Sequence, residues 1–331
     1  MRTDDGFRPP SDGLRPPPRP ASPALGASSS LRSTSHELCG IPLAHPVINA
    51  SGTFDALAAA RAFGVRLFEP DVFPFAAFVT KTVTPAPRAG NPPPRLWELG
   101  AGMINSIGLP NKGLDAFLAS DLPDLAAVLP VPLIVNVMGS TADEFAPLVE
   151  AVAARDEVAA IELNVSCPNV KTGLDLGAEP GSAGALVRRL RPLTPKPLIV
   201  KLTPNTASPA SVAAAVEAQG ADAVSLINTL RAMALHPYTR EPWLGGRTGG
   251  QSGPAVRAVA LAQVAAVRAA VELPIIGMGG VQVGRHARDL LDAGATVVAV
   301  GTESFRDPLA GSRIAAELTA PAPVAVAASD R

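Results

Sequence analysis

From His45 onward, short apolar runs alternate with Ala-rich segments of helical composition, and few folds are open to a chain punctuated in this way. Strands separated by helices pair in parallel, because each return to the start of the next strand needs a crossover connection. The pattern predicts strands over 46–50, 76–81, 133–137, 159–165, 198–202, 223–228, 274–278 and 297–301. Helices are predicted over 142–154, 181–190, 208–219, 255–270 and 284–293. Gly220 and Gly294 stand where a helix C-terminus takes a left-handed residue. Eight such units predict an α/β chain closed into a (β/α)8 barrel rather than an open sheet.

The remaining composition bounds what that barrel can do. With 331 residues, 47% hydrophobic and 17% charged, the chain is globular and can bury a substantial core. A formal net charge of -1, with no Lys/Arg run interleaved with aromatics, removes the electrostatic case for nucleic acid. No apolar run reaches the roughly 18 residues of a membrane span. The two cysteines, Cys39 and Cys167, make no disulfide framework, which fits a reducing cytoplasm. The four histidines show no metal-ligand spacing. Residues 1–35 are rich in Pro, Ser and Arg and lack apolar periodicity, so a disordered leader is expected. Asp4, Asp5, Asp12 and the prolines at 16–18 argue against a transit peptide there. A loose tail is expected over 319–331, which leaves 36–318 as the folded domain.

In a barrel of this kind the carboxyl ends of the strands build the active site. Here they carry Ser51-Gly52, Lys81-Thr82, the Asn136 to Gly139 stretch, the Asn164 to Asn169 stretch, Lys201, Asn228-Thr229, Gly279-Gly280 and Gly301-Thr302. The wetness of loops explains part of this pattern but explains the two strand-terminal lysines poorly. The strand before Ser166-Cys167-Pro168 must stop there, since Pro cannot donate to a ladder. A thiol is thereby placed at a strand end between the carboxamides of Asn164 and Asn169. Spacing alone leaves a catalytic thiol and a quietly packed one equally open.

Two connections, 83–115 and 230–253, are far longer than usual and dense in Gly and Pro, as lids or pocket walls over the C-terminal face would be. The first contains G-A-G-M-I-N-S-I-G-L-P-N, where Asn105 and Asn111 supply donors and acceptors among glycines and apolar residues. Glycines close the last two strands, in P-I-I-G-M-G-G (274–280) and V-V-A-V-G-T (297–302), where barrels commonly seat a phosphate. A further cluster over 249–253 could add amides. Gln282 stands where a dinucleotide fingerprint needs its third glycine, so that reading fails. A phosphate cradle, two lysines, several carboxamides and a thiol suit a flavin mononucleotide (FMN) and a small planar anionic substrate. A lysine would stabilise negative charge on the reduced flavin, and a thiol can act as general base.

The motifs N-A-S-G-T-F (49–54), T-K-T-V-T (80–84), G-N-P-P-P-R (90–95), G-M-I-N-S-I-G-L-P-N (102–111), N-V-S-C-P-N-V-K (164–171), V-K-L-T-P-N (200–205), I-N-T-L (227–230), G-G-Q-S-G-P-A (249–255), G-M-G-G (277–280) and V-G-T (300–302) follow one another in this order. In this set the chain closely resembles class 1 dihydroorotate dehydrogenases over residues 38–308. The resemblance implies oxidation of (S)-dihydroorotate to orotate in pyrimidine biosynthesis, with one FMN per chain. Cys167 would take the proton from carbon 5 while hydride passes from carbon 6 to flavin N5. By the same resemblance, Lys81, Asn105, Ser106, Ile107, Gly108, Leu109, Asn164, Asn169, Asn228 and Thr229 hold substrate. Ala50, Ser51, Lys81, Thr82, Asn136, Asn164, Lys201, Ile227, Gly253, Gly279, Gly280, Gly301 and Thr302 hold the flavin and its phosphate.

The G-N-P-P-P-R and N-T-L-R-A-M-A-L segments resemble subclass 1B, whose catalytic subunit passes electrons through a partner carrying FAD and a [2Fe-2S] cluster to NAD⁺. This chain lacks the cysteines for a cluster, so that partner would be a separate polypeptide, in a heterotetramer built on a homodimer. Ala232 stands where the subclass usually has Gly, and Leu235-His236 replaces a usual Ile-Asp. The alternatives are the fumarate-using subclass 1A, a related FMN barrel acting on another dihydropyrimidine such as dihydrouracil, and a non-catalytic barrel that binds a phosphate ligand.

Overall fold

A computed structural model of the chain describes residues 36–166 and 176–319. The expected leader, the tail beyond Thr319, and Cys167 and Asn169 lie outside the described residues. The described chain opens on an antiparallel hairpin, β1 (His36–Leu38) and β2 (Ile41–Leu43). Then follow β3 (Val47–Asn49), β4 (Phe78–Val79), β5 (Leu96–Leu99), β6 (Gly102–Asn105), β7 (Leu133–Val137), β8 (Val158–Asn164) and β9 (Leu198–Lys201). The last are β10 (Ala223–Leu226), β11 (Leu230–Ala232), β12 (Gly249–Ser252), β13 (Ile275–Met278) and β14 (Val297–Val300). Eight of them line up as β3-β14-β13-β10-β9-β8-β7-β4, parallel wherever they pair, and these are the eight predicted from the sequence.

The ring closes between β3 and β4, and one side chain does most of the joining. Ala76 N donates to Val47 O at 2.9 Å. Beyond that point the Asn49 carboxamide replaces a backbone peptide: Oδ1 accepts from Val79 N at 2.8 Å and Nδ2 donates to Val79 O at 2.8 Å. Asn49 is fully buried, so these bonds have no competition from water. Substituting a side chain for ladder peptides also explains why β4 spans two residues where the sequence predicted six. The result is a (β/α)8, or TIM, barrel.

Alternation of side chains along each strand divides the core in two. Ile48, Val79, Ile134, Ala160, Ile199, Ala223, Ile276 and Ala299 fill the inside of the ring, and Leu38 and Leu43 of the hairpin pack against them. The Cys39 thiol donates to Asp222 O just before β10, which fixes the hairpin at the amino ends of the strands. The alternate residues Val47, Val135, Ile161, Val200, Val224, Ile275 and Val298 face outward, in one cluster with the helices. Both faces being buried is why these strands read as unbroken apolar runs.

The five predicted helices are present at Ala142–Ala153, Pro180–Leu190, Pro209–Glu217, Arg257–Arg268 and Gly284–Asp292. Thr141 Oγ1 accepts from Glu144 N and Ser208 Oγ from Ser211 N, so two of them start on side-chain caps. Gly220 and Gly294 have φ of +90° and +112°, the left-handed exits expected of them. Further helices, Ala56–Phe63, Leu122–Val128 and Ala310–Thr319, complete the outer ring.

The two long connections hold more structure than lids. They pair with one another as a four-stranded antiparallel sheet, β11-β12-β6-β5, in the register Asn105↔Gly250, Ile104↔Gln251 and Met103↔Ser252. Two glycines set how closely this sheet meets itself: a Cβ on Gly253, at φ +89°, would lie 2.7 Å from Gly102 Cα. No other residue fits there, and the close approach draws both connections over the same end of the barrel.

Asn49→Ala leaves the buried Val79 N–H without its acceptor. The variant is expected to lose about 1–3 kcal/mol of stability, read as a lower urea midpoint. An unchanged midpoint would show that the ring closes without the carboxamide.

Candidate active site

Because alternation turns every second side chain inward, the last inward residue of each strand faces the open end of the ring. Those positions bring Ala50, Lys81, Asn164, Lys201, Ile227, Met278 and Gly301 to the wall of one cavity of about 430 Å³, a size suited to a small ligand. The loops just beyond the strands add Ser51, Thr82, Asn228, Thr229, Gly279, Gly280 and Thr302. From the antiparallel sheet come Asn105, Ile107, Gly108, Leu109 and Gly253. The sequence had singled out all of these except Met278.

The glycine turns converge at one end. A Cβ on Gly280 would stand 3.0 Å from Gly253 O, and one on Gly253 would stand 3.6 Å from Thr302 Cγ2. Thr302 Oγ1 donates to Ser252 Oγ at 2.9 Å, tying the turn after β14 to the end of β12. Three backbone segments thus meet where a phosphate could be held by amides.

At the other end the carboxamides are held by one another. Ser166, fully buried, donates through Oγ to Asn164 Oδ1 at 2.9 Å and also accepts a short hydrogen bond from Asn228 Nδ2. Asn164 Nδ2 reaches Thr82 Oγ1 at 3.3 Å. Asn228 Oδ1 accepts from Thr229 N at 2.8 Å, and Asn205 Nδ2 donates to Thr229 O at 3.0 Å. Asn105 Nδ2 donates to Gly250 O at 3.2 Å across the antiparallel seam. Ser166 was not among the residues selected from sequence, yet it anchors the backbone immediately before Cys167. Its only sequence signal was its place between Asn164 and the thiol.

Two selected residues are not on the cavity wall. Ser106 is fully buried with its Oγ accepting from Asn91 Nδ2 at 2.9 Å, because its neighbours Asn105 and Ile107 take the facing positions. Asn136 is fully buried one layer deeper, where Nδ2 donates to Glu162 Oε2 at 2.5 Å and Oδ1 has no partner among the described residues.

The two lysines differ. Lys201 is buried, 6% exposed, in the floor of the cavity. Lys81 reaches into the open cavity, and loss of hydration against its walls pushes its ammonium below the usual lysine range; Asp55 partly offsets this and Arg95 adds to it. The floor therefore pairs positive charge with apolar Ile227 and Met278, and the rim supplies carboxamide donors and acceptors. This arrangement can hold an extended planar ring above the lysines and a smaller polar ring beside the strand that leads to Cys167.

The family model described as dihydroorotate dehydrogenase matches residues 33–321. A protein from Desulforudis audaxviator named dihydroorotate dehydrogenase B (NAD(+)), catalytic subunit, is 46% identical over 288 residues, which cover 86% of this chain and 91% of that one. A protein of the same name from Geobacter sulfurreducens is 46% identical over 284 residues, covering 85% of this chain and 90% of its own length. Matched along nearly all of its folded length by that family model and by these relatives, the chain belongs to the dihydroorotate dehydrogenase family.

Proposed function

We propose that this chain oxidises (S)-dihydroorotate to orotate in pyrimidine biosynthesis, using one bound FMN, as the catalytic subunit of an NAD⁺-linked enzyme. The observation that carries this reading is the single cavity in which three glycine-bearing segments, two lysines and a cluster of carboxamides meet at the carboxyl end of the strand leading to Cys167. The groups present fit a flavin nucleotide. The backbones at Gly253, Gly280 and Thr302 form a cradle for its phosphate, and Ile227 and Met278 give the ring an apolar bed.

Bound FMN supplies the acceptor for the hydride that leaves carbon 6 of the substrate. The protein's part is to hold, orient and take a proton. Asn105, Asn164, Asn169, Asn228, Thr229 and the backbone at Gly108 and Leu109 bond the ring amides and the carboxylate of dihydroorotate. Cys167 takes the proton from carbon 5, and Asn164 and Asn228 clamp Ser166, the residue before it. Lys81 and Lys201 place positive charge where electrons arrive, which lowers the barrier to their arrival.

Two cysteines, one of them bonded to Asp222 O at the barrel's opposite end, cannot hold an iron–sulfur cluster in this chain. Passage of electrons to NAD⁺ then calls for a separate subunit carrying FAD and a [2Fe-2S] centre, in a cytoplasmic heterotetramer built on a dimer of this chain. The names of the relatives, which specify NAD(+) and a catalytic subunit, favour this over the fumarate-using subclass. No helix among the described residues is long and apolar enough to cross a membrane.

Anaerobic mixing of the flavin-loaded protein with dihydroorotate is expected to bleach the flavin absorbance stoichiometrically; an unchanged spectrum would sink the assignment. Cys167→Ser should lower turnover at neutral pH by about 10²–10⁴-fold, and full activity would remove the thiol from its role. Lys81→Met should cost turnover yet raise the stability of the ligand-free protein. Its folded pKa lies below the ordinary 10.5, so the penalty for its charge is full below the folded value and fades as pH rises through the unfolded one. The gain in urea midpoint should therefore be seen at pH 7 and vanish in strong alkali.

A further inference from the structure

One carboxylate lies inside the barrel where nothing in the chemistry above uses it. The inward layer beneath the cavity is apolar at Ile48, Val79, Ile199, Ile276 and Ala299, but β8 contributes Glu162, 2% exposed. Among the described residues Glu162 is the one buried acid, and Lys201 is the one buried Lys or Arg. Both Glu162 oxygens accept hydrogen bonds, Oε2 from Asn136 Nδ2 at 2.5 Å and Oε1 from Ser225 Oγ at 2.7 Å. Both carboxylate oxygens are thereby engaged, by donors that reach in from β7 and β10.

A charge in this place is costly to bury, and an apolar residue of similar volume would fill the layer without that cost. Its neighbours point to what it does. In the β8–β9 register Asn164 stands opposite Lys201 and Glu162 opposite Ile199, so Glu162 is one inward step below Lys201 on the adjacent strand. The two do not pair directly, because both Glu162 oxygens are engaged by Asn136 and Ser225. In a water-excluded interior, charges act on each other over such a separation far more strongly than they do in solvent. The bond to Glu162 also holds the Asn136 amide with its nitrogen turned toward the carboxylate and Oδ1 left over.

We propose that Glu162 is a positioning residue for the oxidation, a buried counter-charge that acts through Lys201 and the oriented Asn136 amide to set the reduction potential of the flavin. The proposal rests on the reading of the cavity as an FMN site. Negative charge beneath the ring opposes the arrival of electrons, so Glu162 offsets part of the pull of Lys201 and keeps the flavin reoxidisable by the next acceptor.

The test is an anaerobic potentiometric titration of the FMN-loaded protein. Glu162→Gln, which keeps the volume and can keep both hydrogen bonds by rotation of the Ser225 hydroxyl, should move the midpoint upward. A tenfold shift in the oxidised-to-reduced equilibrium is expected, about 30 mV for a two-electron couple. Glu162→Asp, which keeps the charge and loses the shape, should stay near wild type. A purely structural carboxylate would reverse that order, and either the reverse order or an unmoved midpoint in Glu162→Gln overturns the proposal. If Glu162→Gln does not fold or hold flavin, Glu162→Met carries the test: it removes the charge at similar volume, so the midpoint should again move upward, and a midpoint that stays at the wild-type value overturns the proposal equally. A wild-type protein that binds no FMN would instead sink the reading of the cavity itself, an outcome visible before any variant is made.

Discussion

Every strand of a closed ring must turn alternate side chains inward, and the ring here is closed by a carboxamide. Asn49 completes the hydrogen bonding between β3 and β4 where the backbones alone make a single bond. Once the ring is shut, parity decides everything that follows: an inward residue at the middle of a strand belongs to the core, and the next inward residue toward the carboxyl end belongs to the cavity. Lys201 lines the cavity while Ile199 stays in the core because it lies two positions further along the same inward face, and Asn164 stands level with Lys201 on the neighbouring strand.

That parity is also why so much of the site could be read from the sequence. The apolar runs mark where strands end, and the polar residue at each end falls on the inward face or in the loop beyond it. What could not be read were contacts set by distant pairing. The glycine cluster over 249–253 reads as a source of ligand-facing amides, but Gly249 and Gly253, with Gly102, also let β6 and β12 pack backbone against backbone. Nothing local in G-M-I-N or G-G-Q-S signals a partner more than a hundred residues away. Ser106 lies off the cavity wall for a related reason: its neighbours Asn105 and Ile107 take the cavity side and its hydroxyl meets Asn91. Asn136 satisfied the rule for strand ends, yet the strand runs on through Val137, which leaves its carboxamide one layer below the mouth.

The clamp on Ser166 links fold to chemistry more directly than any one site residue. β8 delivers Asn164 and the end of β10 delivers Asn228, and both carboxamides bond the serine hydroxyl. Asn228 also bonds the next residue's amide, and Asn205, from the loop after β9, fastens Thr229. Three consecutive units of the barrel are thereby tied to the backbone at Ser166, just before Cys167. Carboxamides suit this work because each offers donor and acceptor at once, so a side chain can fix a neighbour with one end and keep the other for a ligand.

The two departures from the subclass pattern fall on the far side of this arrangement. Ala232 lies in β11 opposite Gly249, at the edge of the antiparallel sheet, and neither it nor Leu235-His236 reaches the cavity wall. His236 Nδ1 accepts from the backbone of Tyr238 and of Thr239 at 3.2 Å each, and its ring stacks on Trp243 at 5.1 Å. An aspartate at that position would close the same turn with a carboxylate oxygen, so the exchange preserves the acceptor and adds an aromatic face. Trp243 in turn packs on Trp97 of β5 at 5.0 Å, so the substitution is absorbed by the outer packing of the sheet. On the inner side of that sheet Asn105, Gly250 and Thr229 line the cavity, and their hydrogen bonds and close contacts involve neither substituted position.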